Sequence, residues 1–310
     1  MKIVHSDRYH IDIGPHIFPT AKFALVRDAL LGSGVARPED FAEPSPASWE
    51  ELGLIHTSGY LEKVRVGGLA PEEIARLEMP WSESMVEGFR MMTGGTLQAA
   101  REALKTPTPR PATSPPNWGV AAHLGGGLHH AFPDHGEGFC LFNDVAVAVR
   151  VLMAARKVAR VAIVDCDVHH GNGTAAILGH DPAVFTFSIH QQNNYPAFKP
   201  AGSLDIGMAD GAGDADYLFA LERALPKVLE TRPELIFYLA GADPFQGDQL
   251  GGLRLTRHGL RRRDRMVLSA ARGSGVPAAV LLAGGYARNI EDTVAIHVAT
   301  IEEATLLNEE

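Results

Sequence analysis

Six short runs constrain this chain more than any other feature: Lys2–His5, Trp118–Ala122, Ala159–Asp165, Ala183–Ile189, Glu234–Ala240 and Val276–Ala283. They are apolar and rich in β-branched residues. Several are apolar at successive positions, so both faces of the strand they form need cover, as in a buried parallel sheet. Between them lie stretches with helical spacing, at Thr20–Leu31, Ser82–Leu104, Asp144–Arg156, Asp214–Leu229, Thr256–Ala271 and Glu291–Leu307. This alternation predicts a doubly wound α/β domain. Such folds carry their sites at the carboxyl ends of the strands. A chain of 310 residues has room for one large domain or two average ones. The low-complexity stretch Thr106–Asn117 reads as a loop rather than a linker, because the apolar runs after it need partners from before it. One domain over residues 1–310 is expected.

Polar clusters follow several of these runs. The run Val161–Asp165 leads into Cys166-Asp167-Val168-His169-His170-Gly171-Asn172. Asp167 and His169 stand two apart, so in extended backbone they point to one side. A carboxylate and an imidazole are ordinary zinc ligands. Asp165, deeper on the same side, suits orienting a histidine or holding a monovalent ion. Solvated polar groups capping a strand are the plainer reading, but two Asp and two His in six residues after a buried strand argue against it.

Gly125-Gly126-Gly127-Leu128-His129-His130 sets two histidines behind backbone with no side chains in the way. Alone this is an ordinary surface motif. Beside the first cluster it offers a general base and acid. Asp243 follows the run ending at Ala240. It would complete a three-ligand set with Asp167 and His169, leaving a position for water as in catalytic zinc sites. By itself it would read as a turn or cap residue. Gly284-Gly285-Tyr286 ends another run, and a phenol there can donate to a developing oxyanion.

Composition removes some classes. The formal charge of −9 argues against a nucleic-acid partner, which needs a basic face. No apolar run reaches the length of a membrane span, and the start MKIVHSDRYH lacks a signal peptide's apolar stretch. A cytoplasmic protein is expected. The two cysteines, Cys140 and Cys166, are too few for a disulfide framework and read as buried thiols.

The motifs GGLHHA, GFCLFND, DCDVHHGNGT, GADPFQGD and AGGY, in this order, resemble the zinc-dependent histone deacetylases and their bacterial relatives in the arginase/deacetylase superfamily. HIFPTAKF and LIHTSGYLEKV extend the likeness through most of the chain. The resemblance implies a single α/β domain with a mainly parallel, eight-stranded sheet. It implies zinc on Asp167, His169 and Asp243, the paired catalytic histidines at His129 and His130, and a carbonyl-polarising role for Tyr286. It places Gly138 and Phe139 on the wall of a narrow acyl-lysine channel, with Gly284 and Gly285 beside the substrate. Asp165 would stand behind His129 and, with Ser188, form part of a potassium site. Asn172 falls behind His130, where class I members carry Asp; class II, class IV and polyamine deacetylases commonly carry Asn. The stretch GDQLGGL looks most like class IV.

The implied substrate is an acyl-lysine protein or peptide, or a small acylated amine such as an acetylpolyamine. Glu83 and Asp248 are candidates for acidic groups at a polyamine-selective channel mouth, against the plainer reading of solvated surface charges. Two rivals share parts of the pattern. A binuclear manganese ureohydrolase would need a further Asp where Gly171 stands. A catalytically inactive acyl-lysine binding module would not need His129, His130 and Tyr286.

Overall fold

The computed structural model describes residues 1–105 and 118–309, so the loop expected at Thr106–Asn117 lies outside the described residues. The strands are β1 (Lys2–Val4), β2 (Phe41–Ala42), β3 (Val120–His123), β4 (Val161–Asp165), β5 (Val184–Gln191), β6 (Leu204–Met208), β7 (Leu235–Leu239) and β8 (Ala278–Leu281). They form one eight-stranded sheet in the order β2-β1-β3-β8-β7-β4-β5-β6. Every pairing is parallel. All six expected strands are present, together with the two edge strands β2 and β6.

The sheet is covered on both faces, which is why its strands are apolar throughout. Leu235, Phe237 and Leu239 of β7 pack into one core, while Ile236 and Tyr238 pack into the other. Helices Glu83–Ala103 and Asp144–Ala154 cover the first face. Helices Asp214–Glu230, Arg257–Gly273 and Ile290–Glu309 cover the second. Truncating a fully buried side chain such as Phe237 to Ala would cost ~3–5 kcal/mol through lost burial and the cavity left behind.

The strand order has one functional consequence. β3, β8, β7 and β4 are consecutive neighbours at the centre of the sheet. The histidine loop follows β3, the AGGY loop follows β8, Asp243 follows β7 and the Asp-His cluster follows β4. Clusters scattered over more than 160 residues of sequence are thereby brought to one rim.

Candidate active site

β4 stops at Asp165, and the chain turns through residues 166–170. Asp167 and His169 therefore do not share a side through strand pleating, as the sequence suggested. Instead, Asp165 Oδ1 accepts the Asp167 N–H at 3.1 Å, and Asp167 Oδ1 accepts the His169 N–H at 3.0 Å. Each carboxylate closes a turn onto the amide two residues on. Asp243 joins this staircase by accepting the Val168 N–H on Oδ1 at 2.8 Å.

The result is a buried group in which Asp167, His169 and Asp243 each offer one ligand atom within 4.8 Å of the others. Asp243 Oδ2 has no hydrogen-bond partner; His169 Nδ1 stands 3.4 Å away. A buried carboxylate oxygen without a partner is costly. The β8 loop leaves room for an ion because residue 284 is glycine. A Cβ there would lie 2.0 Å from Asp243 Oδ2 and 2.5 Å from Asp167 Oδ2. The Gly284 N–H instead donates to Asp167 Oδ2 at 2.8 Å, and Gly285 lies next to it. Two carboxylates, one imidazole and an unmatched oxygen suit a divalent metal ion.

The two histidines differ in what stands behind them. His129 Nδ1 lies 2.7 Å from Asp165 Oδ2. Burial pulls the His129 pKa down, but the Asp165 and Asp167 charges outweigh it and raise it to about 9. His130 Nδ1 lies 2.7 Å from Asn172 Oδ1. Burial and the charges of His129 and His169 hold the His130 pKa well below its ordinary value. The Nε2 atoms of the pair are 3.1 Å apart. The two environments favour a charged His129 and a neutral His130, a difference suited to acid–base work.

Tyr286 shares an inner pocket of about 410 Å³ with this pair, Asp167 and His169. Burial, reinforced by the Asp167 and Asp243 charges, keeps its phenol protonated and able to donate. Outward, a second pocket of about 560 Å³ runs between Phe139, Tyr195 and Tyr286 to Glu78. Gly138 and Phe139 both adopt positive φ, 52° and 64°. A Cβ on Gly138 would meet His130 Cδ2 at 2.8 Å, so glycine lets the wall close on His130. Phe139 stacks with Phe18 at 5.9 Å between ring centres.

Other expected residues fall elsewhere. Ser188 pairs in register with Asp165, and its Oγ bonds His190 Nδ1 at 3.0 Å. Asp248 is neither at the mouth nor solvated. It is 7% exposed and accepts the N–H groups of Leu250, Gly251 and Tyr286. Glu83 sits on an exposed helix start. Glu78 is the acidic side chain on the outer pocket. Cys140 and Cys166 are free and buried, as expected.

Three positioning groups escaped the sequence reading, and a fourth, Asp248, was expected in another role. Asp144 accepts the Gly127 and Leu128 N–H groups and so pins the histidine loop. Asp248 holds the Tyr286 backbone. Lys22 is fully buried, donates to the Ala283 carbonyl at 2.8 Å and faces the Tyr286 ring at 5.5 Å. Burial lowers its pKa to about 8 against the Asp243, Asp167 and Asp248 charges. Glu137 bonds the Asn172 amide at 2.6 Å. Of these, Asp144, Asp248 and Lys22 lay inside quoted motifs, GFCLFND, GADPFQGD and HIFPTAKF, and only Glu137 fell outside them.

Three buried residues able to hold a metal ion, an adjacent histidine pair and a buried phenol lie together at the rim of a parallel α/β sheet, an arrangement suited to a hydrolase. The histone deacetylase domain matches residues 16–301. An uncharacterized protein of Picosynechococcus is 41% identical over 283 residues, 91% of this chain and 90% of the relative. A histone deacetylase-like amidohydrolase of Pseudomonas aeruginosa is 31% identical over 277 residues, 84% of this chain and 70% of the relative. The crystal structure of the HDA15 HD domain matches with a TM-score of 0.79 and 25% identity, over 100% of this chain and 91% of that one. The chain belongs to the histone deacetylase family, and it is an amidohydrolase of the deacetylase type with the arginase/deacetylase fold. Among the described residues, no helix is long and apolar enough to cross a membrane.

Proposed function

We propose that this protein is a zinc-dependent deacylase that removes acetyl or longer acyl groups from the side-chain amine of lysine. The observation that carries the reading is the unpartnered Asp243 Oδ2 within the buried Asp167–His169–Asp243 group, whose Asp167 and His169 line one pocket with His130 and Tyr286. Asp167, His169 and Asp243 would hold zinc, which when bound polarises an amide carbonyl and makes water acidic near neutral pH.

The chain's own groups do the rest. His130, neutral and with Nε2 unprotonated, takes the proton from the attacking water. Tyr286 donates its O–H to the oxygen of the amide as charge builds there. His130 then returns the proton to the leaving amine. His129, held by Asp165, places positive charge beside the oxyanion that develops on the amide. Phe139, Tyr195 and Tyr286 form an apolar sleeve suited to an aliphatic lysine stem. Glu78, which also lines that pocket, offers an acceptor to the peptide N–H groups around that lysine. A monovalent cation such as potassium near Asp165 and Ser188, which line a shared cleft, belongs to the same reading.

A small acylated amine such as an acetylpolyamine is the second reading, because Glu78 would equally attract a cationic tail. Amine release by zinc-loaded protein decides between them on acetyl-lysine peptide, longer acyl-lysine peptides and N-acetylputrescine, each with and without a hydroxamate chelator. Chelator-sensitive turnover best on a peptide supports the proposal. Preference for N-acetylputrescine supports the second reading, and no turnover on any substrate with zinc bound overturns both. Tyr286→Phe is expected to lose about 10²–10³ in kcat with zinc content unchanged.

A further inference from the structure

The neutral amide behind His130 poses a problem that the carboxylate behind His129 does not. A carboxylate only accepts, so Asp165 forces His129 Nδ1 to carry a proton. An asparagine can present either its carbonyl or its NH₂ group to a ring nitrogen. If Asn172 turned its NH₂ group to His130 Nδ1, the ring proton would move to Nε2, and His130 would lose the lone pair that makes it a base.

Glu137 removes this freedom. Its Oε1 takes the Asn172 Nδ2–H at 2.6 Å. On the other side of the same amide, Asn172 Oδ1 lies 2.7 Å from His130 Nδ1. Glu137 is itself fixed. Its side chain is 17% exposed, and His135 Nε2 lies 3.5 Å from its Oε2. Its backbone exchanges hydrogen bonds with Cys140 at 3.1 and 2.9 Å, closing the turn that carries Gly138 and Phe139. The bonds from His135, Asn172 and Tyr195 outweigh its burial and hold it ionised, below the usual carboxyl range.

We infer that Glu137 is a positioning residue that locks the Asn172 amide with its carbonyl toward His130, and so fixes the His130 tautomer that leaves Nε2 unprotonated. The relay runs from the Glu137 carboxylate through Asn172 N–H and C=O to His130 Nδ1–H. The far end agrees: His129, with one proton bound to Asp165, points its Nε2 at His130 Nε2 from 3.1 Å. With His130 Nε2 unprotonated the two rings can share one hydrogen bond there, whereas two protonated Nε2 atoms would oppose each other. A direct carboxylate would raise the basicity of the ring it touches. A carboxylate one amide away orients the ring instead, with its charge kept off it. Tyr195 of the channel wall lies close enough to Glu137 to feel its charge, so the lock adjoins the substrate sleeve.

This inference rests on the deacylase reading for its kinetic consequence but not for its spectroscopic one. The test compares wild type, Glu137→Gln, Asn172→Asp and the double variant. It uses zinc-loaded protein on acyl-lysine peptide, and two-bond ¹⁵N–¹H histidine spectra of the same samples. A glutamine donates as readily as it accepts, so Glu137→Gln should admit the inverted amide. The expected result is an Nε2–H tautomer of His130 appearing in the spectrum, kcat down about tenfold, and KM within about twofold. Asn172→Asp sets two carboxylates at hydrogen-bond distance and should also lose kcat. Adding Glu137→Gln to it should restore turnover, because the introduced glutamine can donate to the introduced aspartate, which accepts from His130 without ambiguity. A single unchanged tautomer in Glu137→Gln overturns the inference, as does a double variant no faster than Asn172→Asp. If wild type releases no amine from any substrate, the deacylase reading fails, and the spectra alone still decide whether Glu137 sets the tautomer.

Discussion

Two fully buried charge clusters lie next to each other under the rim of the sheet, and they are built to opposite specifications. In the first, Arg263 and Asp264 of helix Arg257–Gly273 pair at 2.8 Å. Arg263 Nη1 also donates to the carbonyls of Gly241 and Cys166, at 2.5 and 3.3 Å. Tyr238 and Thr300 donate to the two oxygens of Asp264. Charge and hydrogen bonds both balance. In the second cluster, Asp167, His169 and Asp243 set two carboxylates against one imidazole and leave Asp243 Oδ2 without a partner. The clusters touch through the chain: Cys166 precedes Asp167, and Gly241 lies two residues before Asp243. The balanced cluster holds the two loops, and the unbalanced one, held in place by it, is left to a ligand. Buried charge by itself therefore says little about function; unmatched buried charge says much more.

The sharpest way to break this comparison is to remove one charge from each cluster. Asp243→Asn should reduce bound zinc and turnover to background. The metal-free fold should melt no lower than wild type, since a like-charge contact with Asp167 has gone. A marked fall in its thermal midpoint would mean that Asp243 is structural. Arg263→Leu should do the reverse. It strands Asp264 and two carbonyls, and a cost of ~3–5 kcal/mol in a urea melt is expected. The protein that remains folded should still take up zinc. A loss below about 1 kcal/mol would show that the balanced cluster is not the scaffold described above.

The same contrast explains what the sequence could and could not tell. Chemistry at the carboxyl ends of strands was legible, because apolar runs such as Val161–Asp165 and Leu235–Leu239 end abruptly in polar residues. Asp167, His169 and Asp243 were read as a set, but the cause was wrong for the first two, since turns rather than pleating bring them together. β6 was missed because Leu204–Met208 is an edge strand with alternate positions exposed, and only central strands are apolar throughout. Helix Asn172–Leu178 was missed because it begins inside the motif. The supporting groups were illegible for another reason. Lys22 meets Ala283 across 261 residues, and Arg263 meets Cys166 across 97. No local pattern encodes such pairs; strand order does.

The third test uses pH, and its effect is the smallest. In the metal-free protein, burial opposes a charged His169, but its bond to Asp167 and the nearby Asp243 and Asp167 charges prevail and raise its pKa above the ordinary value. Burial, with the Asp167 charge, raises that of Asp243. Both shifts have the same sign. A group with a raised folded-state pKa stabilises the fold below its unfolded-state value and loses that contribution as pH rises through the folded value. The unbalanced cluster should therefore weaken the metal-free fold as pH increases. Zinc must displace the protons this cluster holds, so its affinity should rise across pH 6 to 8, by about tenfold per unit for each proton displaced. The balanced cluster gives no slope there, because burial of Arg263 is overridden by Asp264 and its pKa moves up, far from neutrality. Thermal melts at pH 6, 7 and 8, with and without zinc, should show the gap between the two curves widening with pH in wild type and closing at every pH in Asp243→Asn. A gap in wild type that stays constant across this range would mean that the cluster holds no displaceable proton. Its unmatched oxygen would then need a reason other than a metal ion.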